Sequence, residues 1–293
     1  MHNKCKVFLI FLLVLLFSSS PVLSSNPAPA LETCHSNQLQ QGLESCLIDL
    51  QLDKSVAQKK LSIALVDITD PEHPQMAVVN GDRMMYAASL PKIAILLGAY
   101  ERIANGELEL TRETEDKLTR MIRNSSNQAA TEMLNRVGKS YLAELLQSPK
   151  YRLYDPAFNG GLWVGKDYGK AGAWKRDPLA NLSHGATAFQ VARFYYLLET
   201  GQLVSPEVSR EMKEKLSQPA IQHKFVKGLQ SRPDAVIYRK SGSWRQYHAD
   251  SAIVEHDGRR YIAVALAEDS QGGVWLSRLI AKLDDLILHS PSS

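Results

Sequence analysis

One pair of residues has the types and the spacing of a nucleophile and its base. Ser89 and Lys92 lie three positions apart at the start of an apolar segment whose pattern predicts a helix. A serine hydroxyl is a poor nucleophile at neutral pH unless a nearby base takes its proton. Positions i and i+3 of a helix share a face, so hydroxyl and amine would lie side by side, and the helix N-terminal amides could support an oxyanion. The competing interpretation is a helix cap at Ser89 and a solvated charge at Lys92.

Two further motifs follow this pair along the chain. Ser125-Ser126-Asn127 interrupts two predicted helices, and Lys240-Ser241-Gly242 ends a predicted strand. Each motif alone has a simpler interpretation, in which the serines cap a helix and Lys240 is a solvated charge. A Ser-x-x-Lys, a Ser-x-Asn and a Lys-Ser/Thr-Gly, in this order on a helix start, an interhelical turn and a strand, is the combination of class A β-lactamases and penicillin-binding proteins.

The sequence resembles this family of serine hydrolases from about residue 62 to its end. The similarity extends past the motifs into residues 99–106 and 121–131. The resemblance implies that Ser89 attacks the acyl carbon, that Lys92 helps to remove its proton, and that Ser125 passes a proton to the leaving nitrogen.

The resemblance also implies a substrate-binding set. One amide side chain would hold the substrate's side-chain amide, and a lysine and a serine would hold its carboxylate in a charge-assisted contact. The oxyanion hole would consist of the backbone N–H groups of Ser89 and Ser243. The residues assigned to substrate binding in this way are Asn127, Lys240, Ser241, Gly242 and Ser243.

The sequence departs from the class A pattern at the group that activates the deacylating water. Class A enzymes use a loop glutamate for this step, whereas no glutamate lies between Glu144 and Glu199. Residues 177–181 resemble the family's Glu-Pro-x-Leu-Asn loop with Asp177 in place of the glutamate, one methylene shorter. His184 is a second candidate base, because a neutral imidazole is well suited to proton transfer near pH 7; the alternative is that it caps or packs.

The hydrophobic pattern predicts an α+β fold. Strands at both ends of the mature chain should form an antiparallel sheet flanked by helices, with an all-helical lobe between them in sequence. The expected sheet lobe comprises residues 29–86 and 219–293, and the helical lobe residues 87–218. Residues 154–186 form a long glycine-rich loop, of the kind that is often functional. Predicted strands are 61–68, 76–79, 234–242, 249–255 and 260–267, and predicted helices are 89–103, 111–123, 128–137, 139–147, 186–199 and one at the C-terminus.

Bulky side chains are concentrated in the long loop and just after the third motif. They can line the catalytic cleft, or they can fold their segments onto the core, and the sequence does not decide between these alternatives. The residues concerned are Trp163, Tyr168, Trp174, Trp244, Arg245, Tyr247 and His248.

The first 28 residues have the pattern of a signal peptide. Lys4 and Lys6 precede an apolar segment over residues 7–17, followed by small residues. This segment is shorter than the roughly 20 residues that a membrane helix needs, so we expect cleavage, export to the periplasm or medium, and no stable membrane insertion. The alternative is an uncleaved anchor. The mature chain, residues 29–293, keeps Cys34 and Cys46, which form a disulfide or remain separate core residues.

Composition excludes several classes of function. Removal of Lys4 and Lys6 lowers the formal charge from +3 to about +1, and no Lys/Arg run is present, so nucleic acid is not an expected partner. His and carboxylate residues do not cluster at ligand spacing, so neither a metal nor another cofactor is expected.

Three functions share this candidate chemistry. The first is hydrolysis of β-lactams, and the second is a peptidoglycan-type DD-peptidase or an esterase. The third is a binding or sensor protein that remains acylated at Ser89 because water activation is missing. The expected ligand in each case is a small-molecule or peptidoglycan-like amide.

Overall fold

A computed structural model describes residues 29–170 and 172–290. The predicted signal peptide lies outside the described residues. Within them, no helix is both long and apolar enough to cross a membrane. The helices are α1 (Asn37–Asp49), α2 (Asp53–Ala57), α3 (Lys92–Ala104), α4 (Arg112–Arg123), α5 (Asn127–Val137), α6 (Lys139–Gln147), α7 (Ala188–Glu199), α8 (Pro206–Leu216), α9 (Phe225–Gly228) and α10 (Gly272–His289). The strands are β1 (Leu61–Asp67), β2 (Gln75–Val79), β3 (Met85–Tyr86), β4 (Tyr154–Asp155), β5 (Gly160–Gly161), β6 (Trp163–Val164), β7 (His184–Ala186), β8 (Val236–Trp244), β9 (Tyr247–His256) and β10 (Arg259–Glu268).

The main sheet has five antiparallel strands in the order β2-β1-β10-β9-β8. Its strands come from both ends of the chain, which confirms the predicted α+β class. Side chains of β1 alternate between two hydrophobic clusters. Ile63 and Leu65 pack with α1 and α10, whereas Ala64 and Val66 pack with α3 and α7. Strand β1 is therefore buried on both faces, which explains its almost unbroken apolar sequence.

Helix α3 is the centre of the helical part. Its first ten residues, from Lys92 to Glu101, are all buried, as expected for a helix that is apolar on every side. Helices α4, α5, α6 and α8 pack around it. The helix that carries the candidate base is therefore held in the core, and only the turn that precedes it reaches the surface cleft.

The long predicted loop contains short strands that sequence patterns cannot reveal. Strand β7 pairs with β3 and with β6 in a three-stranded sheet. Strands of two or three residues are too short to show an alternating pattern. The pairing joins the end of the loop to the turn that carries Ser89, because Ala87 N donates to His184 O at 3.0 Å.

The two cysteines of the described chain are free thiols. The Sγ of Cys34 donates to Ala30 O at 3.3 Å, and the Sγ of Cys46 lies 3.8 Å from Lys282 O. Of the two alternatives left open by the sequence, the structure shows separate, partly buried cysteines.

Candidate active site

Ser89 lies in the turn between β3 and α3. The turn is closed by bonds of the 3₁₀ type, from Leu90 N to Ala87 O at 3.0 Å and from Lys92 N to Ser89 O at 3.3 Å. Ala88 has a φ of 49°, a left-handed conformation that is costly for a residue with a Cβ. The surrounding sheet and helix therefore hold the nucleophile turn in a fixed, strained shape, with Ser89 at the cleft surface.

Lys92 is a buried amine and not a solvated charge. Its side chain is 0% exposed, and its Nζ donates to Ser125 O at 2.6 Å and to Asn127 Oδ1 at 2.8 Å. Burial lowers the pKa of Lys92 to about 7, because an ammonium group loses its hydration there. A neutral amine has two N–H donors, which these two acceptors satisfy, so its lone pair remains free to accept a proton.

Ser125 joins the second motif to the third. Lys240 Nζ donates to Ser125 Oγ at 2.9 Å and to Ser241 O at 2.8 Å, while Lys92 Nζ lies 3.4 Å from the same Oγ. Burial and the charge of Lys92 hold the pKa of Lys240 below its usual range. The three sequence motifs thus converge, with one serine hydroxyl between two buried lysines.

The end of β8 approaches the nucleophile turn through Gly242. A Cβ at this position would lie 2.1 Å from Ala87 O and 2.8 Å from Ser89 N, so only glycine permits the approach. Ser243 follows and lines the same cleft as Ser89. The structure therefore brings the two residues of the predicted oxyanion hole to one cavity.

Lys224 is a residue of this region that the sequence analysis missed. Its Nζ lies behind the β8 edge and donates to Ser243 Oγ at 2.7 Å and to Ala249 O at 3.0 Å. Burial lowers its pKa to about 8. Lys224 precedes α9 and belongs to none of the three motifs, so only its buried position in the fold reveals it.

Asp177 holds its own loop together. Its Oδ1 accepts hydrogen bonds from Tyr154 OH at 3.0 Å, from Leu179 N at 3.1 Å and from Ala180 N at 2.9 Å, and its Oδ2 accepts one from Leu182 N at 2.6 Å. The side chain is buried and is not among the residues that line the cleft. The geometry therefore gives no support to Asp177 as a base that contacts water in the cleft, and shows a loop-stabilising carboxylate instead.

His184, the second candidate base, lies in the cleft wall at the start of β7. Its ring is stacked on that of Tyr168, with centroids 4.3 Å apart and planes 6° from parallel. Burial, together with the charges of Lys166 and Lys92, lowers the pKa of His184 to about 3. The imidazole is therefore neutral at pH 7, and its buried Nδ1 makes no hydrogen bond within the described part of the chain.

Tyr168 covers Lys92 from the loop side. Lys92 Nζ lies 4.5 Å from the centroid of the Tyr168 ring. Thr131 fixes the tyrosine backbone, since its Oγ1 accepts from Tyr168 N at 3.0 Å and lies 3.2 Å from Tyr168 O. The Tyr168 ring therefore lies beside both the base and the His184 imidazole.

The cleft has a volume of about 590 Å³. One wall is aromatic: the Tyr86 ring lies 5.5 Å from Trp244 and 5.3 Å from Tyr247 between centroids. Trp244 is 47% exposed, so this wall is open to a ligand. Among residues 29–170 and 172–290, no His, Cys, Asp or Glu group is arranged to hold a metal ion. The lining residues are Tyr86, Ala88, Ser89, Asn127, Lys166, Tyr168, Gly169, Gly172, Ala173, Arg176, Leu182, Ser183, His184, Ser243, Trp244 and Tyr247.

Comparison with known proteins identifies the class to which this fold and site belong. A model of the beta-lactamase enzyme family matches residues 48–117 and 112–289. The chain therefore belongs to the beta-lactamase enzyme family, whose members are serine hydrolases of the β-lactamase and penicillin-binding type. A comparison with curated protein sequences finds no match.

Solved structures share the fold at low sequence identity. A β-lactamase from Sphaerobacter thermophilus has a TM-score of 0.66 and 16% identity, over 85% of this chain and 96% of that one. A β-lactamase from Xanthomonas campestris has a TM-score of 0.65 and 16% identity, over 85% and 98%. The protein PBP-A has a TM-score of 0.62 and 17% identity, over 86% and 97%. These likenesses establish the architecture.

Proposed function

We propose that this protein is an acyl-transferring serine hydrolase that forms an acyl-enzyme at Ser89 with β-lactams and releases the product slowly. The observation that carries the proposal is the hydroxyl of Ser125 between two buried lysines, beside a strained turn that presents Ser89 to the cleft. This arrangement supplies a nucleophile, a base with a pKa of about 7 and a route for the proton.

Acylation proceeds by transfer of one proton from the nucleophile to the leaving group. The neutral amine of Lys92 accepts the hydroxyl proton of Ser89, and a bond forms between Ser89 Oγ and the acyl carbon. The proton then passes through Ser125 Oγ to the amide nitrogen, and the carbon–nitrogen bond breaks. Among the described residues Ser89 Oγ makes no hydrogen bond; catalytic contacts of this kind often tighten only in the substrate complex.

The residues on the loop side of the cleft are the reason that we propose slow hydrolysis of the acyl-enzyme. No carboxylate is among the described lining residues, and the four hydrogen bonds accepted by Asp177 occupy the loop carboxylate. The ring of Tyr168 lies 4.5 Å from Lys92 Nζ and restricts the space for water beside this amine. The remaining candidate bases for turnover are Lys92 and His184, and the pKa of about 3 makes the His184 imidazole a weak base. A point mutant of PBP-A has been solved as an acyl-enzyme complex with penicillin G, which supports penicillins as probes for this site.

The same acylation chemistry serves a DD-peptidase or an esterase, and the missing carboxylate favours a long-lived acylated form. Three alternatives can therefore be distinguished by one measurement: turnover of β-lactams, turnover of acyl-D-Ala peptides, and stable acylation. The apolar segment over residues 7–17 supports export as the context of the proposed function.

The test is intact-mass spectrometry after mixing with benzylpenicillin and with a chromogenic cephalosporin. We expect a mass increase of one acyl group within seconds and its loss over a much longer time. Ser89→Ala should abolish the adduct, whereas Ser183→Ala, a serine of the same cleft with no lysine three positions on, should keep it. An undiminished adduct in Ser89→Ala would overturn the assignment of the nucleophile.

A further inference from the structure

The loop side of the cleft carries two cations whose charges are not neutralised. Lys166 Nζ donates to Gly169 O at 3.1 Å, and Arg176 Nη1 donates to Asn181 O at 3.0 Å. Both contacts are to backbone carbonyls, which position a cation without cancelling its charge. Both side chains line the cleft that contains Ser89.

The nearby carboxylates are engaged elsewhere. Asp167 pairs with Lys139 at 2.7 Å, and Asp177 accepts its hydrogen bonds inside the loop. Neither Lys166 nor Arg176 forms an ion pair within the described residues. Lys117, by contrast, contacts two carboxylates at 2.8 and 2.5 Å.

The uncompensated charge acts on the interior of the cleft. The charge of Lys166 contributes to the low pKa of His184, and no carboxylate faces either cation among the described lining residues. A cleft lined by charges of one sign, with low-dielectric aromatic walls, concentrates ligands of the opposite sign. An anionic group on the ligand would complement the charges of Lys166 and Arg176 on this side of the cleft.

We infer that Lys166 and Arg176 form a subsite for a carboxylate on the acyl side chain of the substrate. This inference rests on the proposed acylation at Ser89 and deepens it. The subsite is separate from Lys240 and Ser241, to which the family resemblance assigns the carboxylate on the leaving side. The substrate is therefore an acyl compound with an acidic group on each side of the bond that is cleaved.

Two sources can supply an acidic acyl side chain: a carboxylated β-lactam and an acidic peptide that ends in D-Ala-D-Ala. The first arm of the test compares α-carboxybenzylpenicillin with benzylpenicillin, which differ by one carboxylate. The second arm compares N-acetyl-glutamyl-D-Ala-D-Ala with its glutaminyl analogue. A preference for the acidic member in only one arm identifies the source.

The measured quantity is the second-order rate of acylation for each member of a pair, followed by mass spectrometry. Charge-assisted contacts with half-buried Lys166 and exposed Arg176 are together worth about a tenfold preference, which should weaken as salt is added. Lys166→Gln with Arg176→Gln should bring the ratio of rates close to one. Lys175→Gln removes the same charge from an exposed neighbour that does not line the cleft, and should keep the ratio.

Separate outcomes distinguish failure of the inference from failure of the proposed function. Equal acylation by both members of each pair, in the wild-type protein, would overturn the subsite and leave the nucleophile assignment intact. Absence of any adduct at Ser89 would overturn the proposed function itself. Because Arg176 also supports the loop through Asn181 O, Arg176→Lys serves as a charge-preserving variant; if it loses the preference as fully as Arg176→Gln, charge is not the cause.

Discussion

The rate of acylation should depend on pH through the protonation of Lys92. With a pKa of about 7, about half of the Lys92 side chains are neutral at pH 7, against roughly one in 3,000 for a lysine with the ordinary pKa of about 10.5. Burial thus raises the population of the free base by about three orders of magnitude. Since the neutral amine is the active form, the acylation rate should rise about tenfold between pH 6 and pH 8 and level off above.

The assay is rapid-quench or stopped-flow acylation with benzylpenicillin across pH 5.5–9.5, so that slow release does not enter the rate. Lys92→Ala should lose most of the acylation rate, and any residual rate should not rise with pH near pH 7. Ser183→Ala leaves Lys92 and Lys224 in place and should retain this rise.

Two results would contradict the reasoning. A rate that is flat between pH 6 and pH 8, or one that rises only near pH 10, would show that Lys92 is not a neutral base at pH 7. Lys224 has a pKa of about 8 and titrates in the same window. If the acylation rate of Lys92→Ala still rises with pH near pH 8, Lys224 and not Lys92 would be the base.

Three further predictions follow from buried polar groups. Lys240→Ala should lower kcat/KM by about 10- to 150-fold for substrates with a carboxylate on the leaving side, and much less for neutral esters, as measured by steady-state kinetics. Equal losses would show that Lys240 acts through Ser125 Oγ and not on a substrate carboxylate. Asp177→Ala leaves Tyr154 OH and three loop amides without their acceptor, so urea denaturation should show a loss of at least about 2 kcal/mol in the free energy of unfolding, and an unchanged value would contradict the loop-stabilising role. The pKa of Lys92 is lowered in the folded state, so the unfolded chain binds the proton more tightly. The free energy of unfolding of the wild-type protein, relative to that of Lys92→Met, should therefore increase by about 3 kcal/mol between pH 7 and pH 9.5. A difference that does not change with pH would indicate a lysine with an ordinary pKa.

Site residues that belong to short motifs with a fixed spacing could be predicted from the sequence. Ser89 and Lys92 are three positions apart, and Ser125 and Lys240 lie in motifs with a fixed order, so the approach of both lysines to Ser125 Oγ follows once the fold is known. The β-strands at both ends and the helix α3 also have patterns long enough to recognise.

Contacts that depend on the path of the chain were not predictable. The carboxylate of Asp177 matches a family position in sequence, yet its direction is set by the turn at residues 177–182 and by Tyr154, which is distant in the sequence. Lys224 reaches Ser243 only because α9 packs under the sheet. The left-handed φ of Ala88 could not be predicted, because position 88 is not a glycine and tertiary packing imposes this conformation.

Tyr168 is the residue that we expect to limit release of the acyl group. Its ring lies over Lys92 and is stacked on His184, so it occupies space beside both nitrogen bases that a water molecule would need. Tyr168→Ala removes the ring and leaves a space next to two polar partners, Lys92 Nζ and the unpaired Nδ1 of His184. A cavity of more than about 15 Å³ with polar partners is sufficient for one water.

Loss of the acyl adduct should therefore be about tenfold faster in Tyr168→Ala, since general-base activation of a positioned water contributes at least about 10²-fold when fully developed. Tyr168→Phe keeps the ring and should release the adduct at the wild-type rate, which separates water exclusion from chemistry of the phenol. Adding His184→Ala to Tyr168→Ala should remove the gain if the imidazole activates the new water, and should leave the gain if Lys92 does. Unchanged release in Tyr168→Ala, with acylation intact, would mean that the ring does not exclude the water. The lack of a carboxylate among the described cleft-lining residues would then be sufficient to account for slow release.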